Sequence, residues 1–190
     1  CRFDHLPLVE GDTVELEDMA LEVVETPGHT PEHVCYIVTD RTRGETPIGA
    51  FVGDLLFVGD VGRPDLFPNR ATELAEKLYH SLHDKLLKLP DYCEVYPAHG
   101  AGSLCGRSMA AKWLTTIGYE RRYNAALQLG PADFIRSLTS DMPPAPDHFS
   151  RCSDINRDGP VLLADLPPLE ELRPAQFKER LEDPNVAVVD

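Results

Sequence analysis

A mixed α/β fold is predicted for this chain by three patterns. Between Val14 and Gly53 short apolar runs alternate with turns marked by Gly, Pro and polar residues, as β-strands do. Between Asn69 and Leu89 the apolar residues Leu74, Leu78, Leu82 and Leu86 recur at helical spacing, with Glu and Lys on the other faces. CEVYP at 93–97 then returns to strand character, so strands and helix interleave along the chain.

Each element has its own justification. Alternating apolar and acidic residues from Val14 to Thr26 predict a strand pair, with Leu21, Val23 and Val24 supplying β-favouring side chains before the turn at Pro27 and Gly28. His29 therefore lies just beyond a strand. VCYIVTD at 34–40 and IGAFVGD at 48–54 read as a hairpin around a polar excursion, and Asp54 stands at the end of its second strand. The leucine stripe predicts one amphipathic helix ended by Pro90; His80 and His83 ride on it and are read as solvent-facing. CEVYP delivers His99 into a Gly-flanked loop. The pattern is helical again from Leu104 through Tyr123 and from Pro131 to Leu138, before the Pro-rich connector MPPAPDHF at 142–149. A second linker spans Pro160 to Pro168, and the stretch from Leu169 to Asp190 reads as a helix followed by a strand.

Composition narrows the function. With 190 residues and 42% hydrophobic content, the chain can bury a core, and its length suits one domain with room for part of a second. A net charge of -14 repels polyanions, which argues against nucleic acid or an anionic membrane as partner, so an anionic substrate must be held by local arginines. No stretch approaches the ~20 consecutive apolar residues of a membrane span, and the cytoplasm is the default compartment. Five scattered cysteines without a CxxC pair read as reduced thiols: Cys35 and Cys93 as buried small hydrophobes, Cys105 in GSLCGRS as the weak candidate for reactivity. The chain begins on Cys1 and stops on the strand-like VAVVD, so it is expected to be a piece of a longer polypeptide.

The candidate chemistry lies in TPGHT around His29, GD at Asp54 and PAHG around His99. Imidazole, carboxylate and imidazole each stand where an apolar run meets a turn, so rigid strands would hold them at their ends. Two imidazoles and one carboxylate on one face of a cation leave neighbouring positions open, which suits ferrous iron.

These motifs, over roughly residues 1–110, together with GDVGRPDL at 59–66 and TIGYERRYN at 116–124, resemble the later half of the metallo-β-lactamase superfamily signature. Within it the chain looks like the persulfide dioxygenases fused to rhodanese domains. The resemblance implies an αββα sandwich, of which residues 1–159 form the C-terminal portion, then a linker at 160–168 and the start of a rhodanese-like α/β domain at 169–190. It implies Fe(II), one per complete site, with His29 and Asp54 as two of its three ligands. His99 would occupy the position that binds a second metal in the hydrolases and hydrogen-bonds from outside the metal in the dioxygenases. The superfamily's HxHxDH cluster, source of the remaining ligand, does not occur in this sequence.

The implied reaction is oxidation of glutathione persulfide by O2 to sulfite and glutathione, with no catalytic side chain beyond the metal site. Arg63, Tyr119, Arg121 and Arg122 form a basic and aromatic group suited to the carboxylates of glutathione. Against this, Arg63 could pair with Asp65, and YERR could be a solvated helix face. A homodimer is left open. The rhodanese cysteine loop would lie past Asp190, so no sulfurtransferase activity is assigned to these residues. Two alternatives stand: a zinc-dependent thiolester hydrolase of the glyoxalase II type, and a non-catalytic remnant lacking HxHxDH.

Overall fold

The apolar runs become strands in the computed structural model, which describes residues 2–140, 144, 148–168 and 171–187. In chain order the strands are β1 (Thr13–Leu16), β2 (Met19–Glu25), β3 (Val34–Asp40), β4 (Gly49–Gly53), β5 (Leu56–Phe57), β6 (Asp60–Val61), β7 (Glu94–Pro97) and β8 (Thr115–Thr116). The helices are α1 (Ala71–His80), α2 (Ile117–Tyr123), α3 (Pro131–Ser140), α4 (Phe149–Asp158) and α5 (Pro174–Leu181). Six strands form one sheet in the order β1-β2-β3-β4-β7-β8, while β5 and β6 make a separate small hairpin. Neighbours in the large sheet are antiparallel except β4 and β7, which run parallel.

Alternation along the strands sends one set of side chains to a common face. Cys35, Ile37, Ala50, Val52 and Val95 are buried there in one cluster with Leu78, Leu82 and Leu86, and α3 adds Phe134 and Leu138; Leu74 is buried as well. Burial of each leucine contributes about 1.5–3 kcal/mol, so this seam is the main stabilising contact of the fold. The helix expected over 69–89 is in fact three pieces: α1, a π turn at Ser81–Lys85 and a 3₁₀ turn at Leu86–Lys88. A four-residue repeat on a pure α-helix drifts by about 40° per step. The wider π turn rotates less per residue and returns the stripe to the sheet, which is how all four leucines stay at 2% exposure or less. His83 is half-buried and stacks on Tyr79 at 4.1 Å, so it does not face solvent as expected.

The segment from Leu104 to Leu114 also departs from expectation: it is not helical. The Asp60 carboxylate accepts the backbone N–H groups of Arg107 and Ser108, withdrawing the donors a helix there would need. The helix starts only at Ile117, where the Thr116 hydroxyl caps it by accepting from the Tyr119 N–H at 3.2 Å.

Toward the C-terminus, α4 begins on Phe149, the last residue of the Pro-rich connector, and the expected linker holds a short 3₁₀ turn at Leu163–Asp165. α5 falls where a helix was expected, and neither α4 nor α5 buries a residue. The expected strand ending on Asp190 lies outside the described residues, as does most of the MPPAPDHF connector. The described residues thus supply one large sheet with helices on one face, as half of an αββα sandwich would. On its other face Phe51, 47% exposed, stacks near Tyr96 at 5.4 Å. Among the described residues no helix is long and apolar enough to cross a membrane.

Candidate metal centre

Three strand ends build the centre. β2 runs into buried Thr26, whose N–H donates to the His33 carbonyl at 2.8 Å and closes the loop that carries His29. β4 ends at Gly53, whose φ of 51° turns the chain so that Asp54 leaves the sheet. A Cβ at Gly53 would lie 2.6 Å from His33 Nε2, so only glycine fits. β7 pairs in parallel with β4, matching Pro97 to Gly53, and the Ala98 N–H donates to the Gly53 carbonyl at 2.9 Å. That pairing sets His99 beside Asp54 although 45 residues separate them.

The side chains converge. His29 Nε2 lies 3.2 Å from Asp54 Oδ2, and His99 Nδ1 lies 2.6 Å from Asp54 Oδ1. His29 is 6% exposed and Asp54 9%. On the far side of its ring, His29 Nδ1 donates to the Arg63 carbonyl at 2.8 Å, which fixes the ring orientation and turns Nε2 toward Asp54. Burial pushes the Asp54 carboxyl up, but hydrogen bonds and charge from His29 and then His99 outweigh it and hold the group below the usual carboxylate range. Nearby, a Cβ at Gly62 would overlap the Asp54 carbonyl at 1.8 Å, so this residue too must be glycine for the hairpin to close on the site.

His33 supports the site from behind. Its Nε2 accepts the Asp54 N–H at 3.2 Å, so Nδ1 carries the proton and donates to Thr26 Oγ1 at 2.9 Å. Burial, helped by the nearby His29, lowers its pKa to about 4, consistent with a neutral ring.

Among the described residues, one group has the geometry to hold a metal: His29, Asp54 and Cys105, with ligand atoms all within 4.8 Å of one another. An imidazole, a carboxylate held in its ionised form and a thiol are donors that suit a divalent transition metal, so the residues present fit such an ion. No sequence pattern predicted that Cys105 would reach this position. Burial raises its thiol pKa, with the Asp54 charge acting in the same direction.

The proposed substrate residues fare differently. Arg63 is 1% exposed: Nε and Nη2 donate to Asp65 at 2.7 and 2.8 Å, and Nη1 donates to the Leu104 carbonyl at 3.1 Å. It braces the loop while its own carbonyl orients His29. Arg121 bonds Asp91 and the carbonyls of Leu87 and Leu89. Tyr119 is exposed, 4.9 Å from the Tyr123 ring and beneath Lys112 Nζ at 5.5 Å, while the Arg122 guanidinium lies over Tyr123 at 6.0 Å. The contacts named for Tyr119, Arg121 and Arg122 lie with Asp91, Leu87, Leu89, Lys112 and Tyr123 rather than with His29, Asp54 or His99.

Two buried carboxylates escaped the sequence reading. Asp60 is 2% exposed, and Glu120, within YERR, is 0% exposed with Oε2 accepting from the Gly59 N–H at 3.0 Å and from Asn124 Nδ2 at 2.9 Å. Asn124 also donates to the Asp60 carbonyl at 3.0 Å, so α2 grips the β5–β6 hairpin. The repeated Gly-Asp in FVGDLLFVGD was the available signal for Asp60.

With this geometry established, known proteins provide a frame. No protein-family model matches the chain. A metallo-β-lactamase from Staphylococcus aureus subsp. aureus COL superposes with TM-score 0.73 at 38% identity, covering 78% of this chain and 43% of that one. The chain belongs to the metallo-β-lactamase superfamily. Its relatives there include the mitochondrial persulfide dioxygenase ETHE1 of Mus musculus, 33% identical over 144 residues, which are 76% of this chain and 50% of the relative. ETHE1 from Myxococcus xanthus superposes with TM-score 0.65 at 29% identity, over 80% of this chain and 59% of that one. A probable metallo-hydrolase of Burkholderia pseudomallei is 35% identical over 153 residues, 75% of this chain and 49% of the relative. The chain spans about half the length of the curated relatives it matches.

Proposed function

We propose that the protein is a non-heme iron persulfide dioxygenase, converting glutathione persulfide, O2 and water to glutathione and sulfite. Electrons lost by the outer sulfur are those O2 takes up, and two protons are released. The observation that carries this reading is how the Asp54 oxygens are used. Oδ2 faces His29 Nε2 at 3.2 Å, whereas Oδ1 is taken by His99 Nδ1 at 2.6 Å. An imidazole on one carboxylate oxygen orients the other, which favours Asp54 serving a single metal through Oδ2 with His99 as a hydrogen-bonder outside it. The likeness to persulfide dioxygenases supports the same reading.

His29 and Asp54 would hold Fe(II) together with a ligand from outside this chain's motifs; when bound, iron supplies a site where the persulfide sulfur and O2 meet. The chain's own residues prepare that site. The Arg63 carbonyl fixes the His29 ring, His33 anchors the Asp54 backbone, and His99 holds the outer carboxylate oxygen. Tyr119 and Arg122 remain proposed contacts for the peptide part of the substrate, while Arg121, expected with them, is committed to Asp91 and the carbonyls of Leu87 and Leu89 and Arg63 acts mainly through the loop it braces. α5 is proposed to open a rhodanese-like module.

The test is metal and product analysis of the full-length protein: one iron per chain, with O2 uptake and sulfite formation on glutathione persulfide, is expected. The likeness to a probable metallo-hydrolase makes a two-zinc thiolester hydrolase the competing reading, with His99 on the second metal. Two zincs with thiolester cleavage and no O2 uptake would establish that reading instead.

A further inference from the structure

We propose that Asp60 is a positioning residue: its carboxylate clasps the Cys105–Ser108 loop onto the β5–β6 hairpin and thereby sets the Cys105 thiol against His29 and Asp54. Oδ2 accepts the Arg107 N–H at 2.5 Å and the Ser108 N–H at 2.8 Å, while Oδ1 accepts the Val61 N–H at 2.9 Å. A buried carboxylate that gathers three backbone donors is a strong, directional anchor. The approach is close enough that a Cβ on Gly106 would lie 3.1 Å from Oδ2. The hairpin is itself held from α2 through Asn124 and Glu120, so the clasp has a rigid base.

The loop has no secondary structure of its own. Its other ties to the hairpin region are the Arg63 N–H to the Cys105 carbonyl at 3.1 Å, Arg63 Nη1 to the Leu104 carbonyl at 3.1 Å, and the Ala110 N–H to the Val58 carbonyl at 2.9 Å. The first two hold Cys105 and Leu104 and the third holds Ala110, while Asp60 takes the backbone N–H groups of Arg107 and Ser108, the two residues that follow the Cys105–Gly106 step. The Arg107 side chain contributes little, since its guanidinium is 3.9 Å from Oδ1 and donates instead to the Ser137 carbonyl. The position of the thiol thus follows from a side chain 45 residues upstream of it.

The test reads thiol placement, so its outcome is independent of which reaction the centre performs. In iron-loaded full-length protein, the rate of Cys105 alkylation by iodoacetamide is followed by peptide mass spectrometry, beside iron content. Asp60→Ala should open the loop and speed alkylation by about tenfold with iron retained, and Asp60→Asn, which keeps one acceptor oxygen, should fall between it and wild type. Arg107→Ala keeps the backbone donor and should leave the rate unchanged. A lowered melting temperature with an unaltered alkylation rate would reduce Asp60 to a stability role and overturn the proposal, as would Arg107→Ala matching Asp60→Ala. If Asp60→Ala does not fold, Ser108→Pro, which deletes one of the two clasped donors, decides by the same rate.

Discussion

His29, Asp54 and His99 come from three separate strand ends and meet around one carboxylate, whereas Tyr119, Arg121 and Arg122 are neighbours on one helix and part company. The contrast is geometric. Strand pairing is a long-range constraint: once β7 lies parallel to β4, whatever follows Pro97 must emerge beside whatever follows Gly53. A helix does the opposite to sequence neighbours, turning each residue about 100° from the last. Arg121 is consequently directed to Asp91 while Arg122 points to the Tyr123 ring. Motifs at strand ends therefore reported a tertiary meeting, and a cluster of letters on a helix did not.

The largest effect that tests this contrast is loss of the metal. His29→Ala and Asp54→Ala should each reduce iron in the full-length protein at least a hundredfold in affinity, while His83→Ala, stacked on Tyr79 away from the centre, should keep it. Equal iron in all three variants, measured by elemental analysis, would dissolve the convergence as a functional fact. A smaller effect is expected one step outward. His33→Ala strips the Asp54 N–H of its acceptor, which should cost about 1–3 kcal/mol of stability and weaken iron binding about tenfold. Calorimetry together with iron titration checks both, and an unaltered melting temperature would show that water replaces the ring.

How far the sequence could be read follows the same line. The sheet, the leucine stripe and the three strand-end residues were legible because each depends on local periodicity and on the Gly or Pro that ends it. The loop around Cys105 was not, because the Asp60 side chain takes its backbone donors and no local pattern encodes a clasp from 47 residues away. Arg63 was ambiguous for a related reason. Its letter is that of a substrate-binding group, while its surroundings, 1% exposure and a fork filled by Asp65, are those of a brace. The π turn in the leucine helix was hidden as well, since its cause is the register of a sheet that the helix meets only after folding.

Arg63 turns that ambiguity into a measurement. Arg63→Ala removes a buried bidentate pair and leaves Asp65 unpartnered; because the Asp65 side chain is 25% exposed, the cost is set below that of a fully buried pair, at about 2 kcal/mol. The expected outcome is a lower melting temperature with iron still bound. A raised KM for glutathione persulfide at unchanged stability would instead make Arg63 a substrate contact.

Arg122 and Tyr119 carry the smallest expected effect and the reverse signature. Both are exposed, so Arg122→Ala and Tyr119→Ala should leave the melting temperature within about 0.5 kcal/mol of wild type in stability terms. If they meet the peptide part of the substrate, KM for glutathione persulfide should rise about threefold with kcat unchanged, the size expected for a solvent-screened charge contact. The rise should shrink as salt is added, because exposed charge pairs are screened within about 8 Å at physiological ionic strength. Arg121→Ala separates the two regions most directly: its guanidinium is already committed to Asp91 and to the carbonyls of Leu87 and Leu89, so it should lower stability slightly and leave KM alone. A KM shift in Arg121→Ala as large as in Arg122→Ala would mean that the helix presents both arginines to the substrate, and that the divergence described here is undone when the substrate binds.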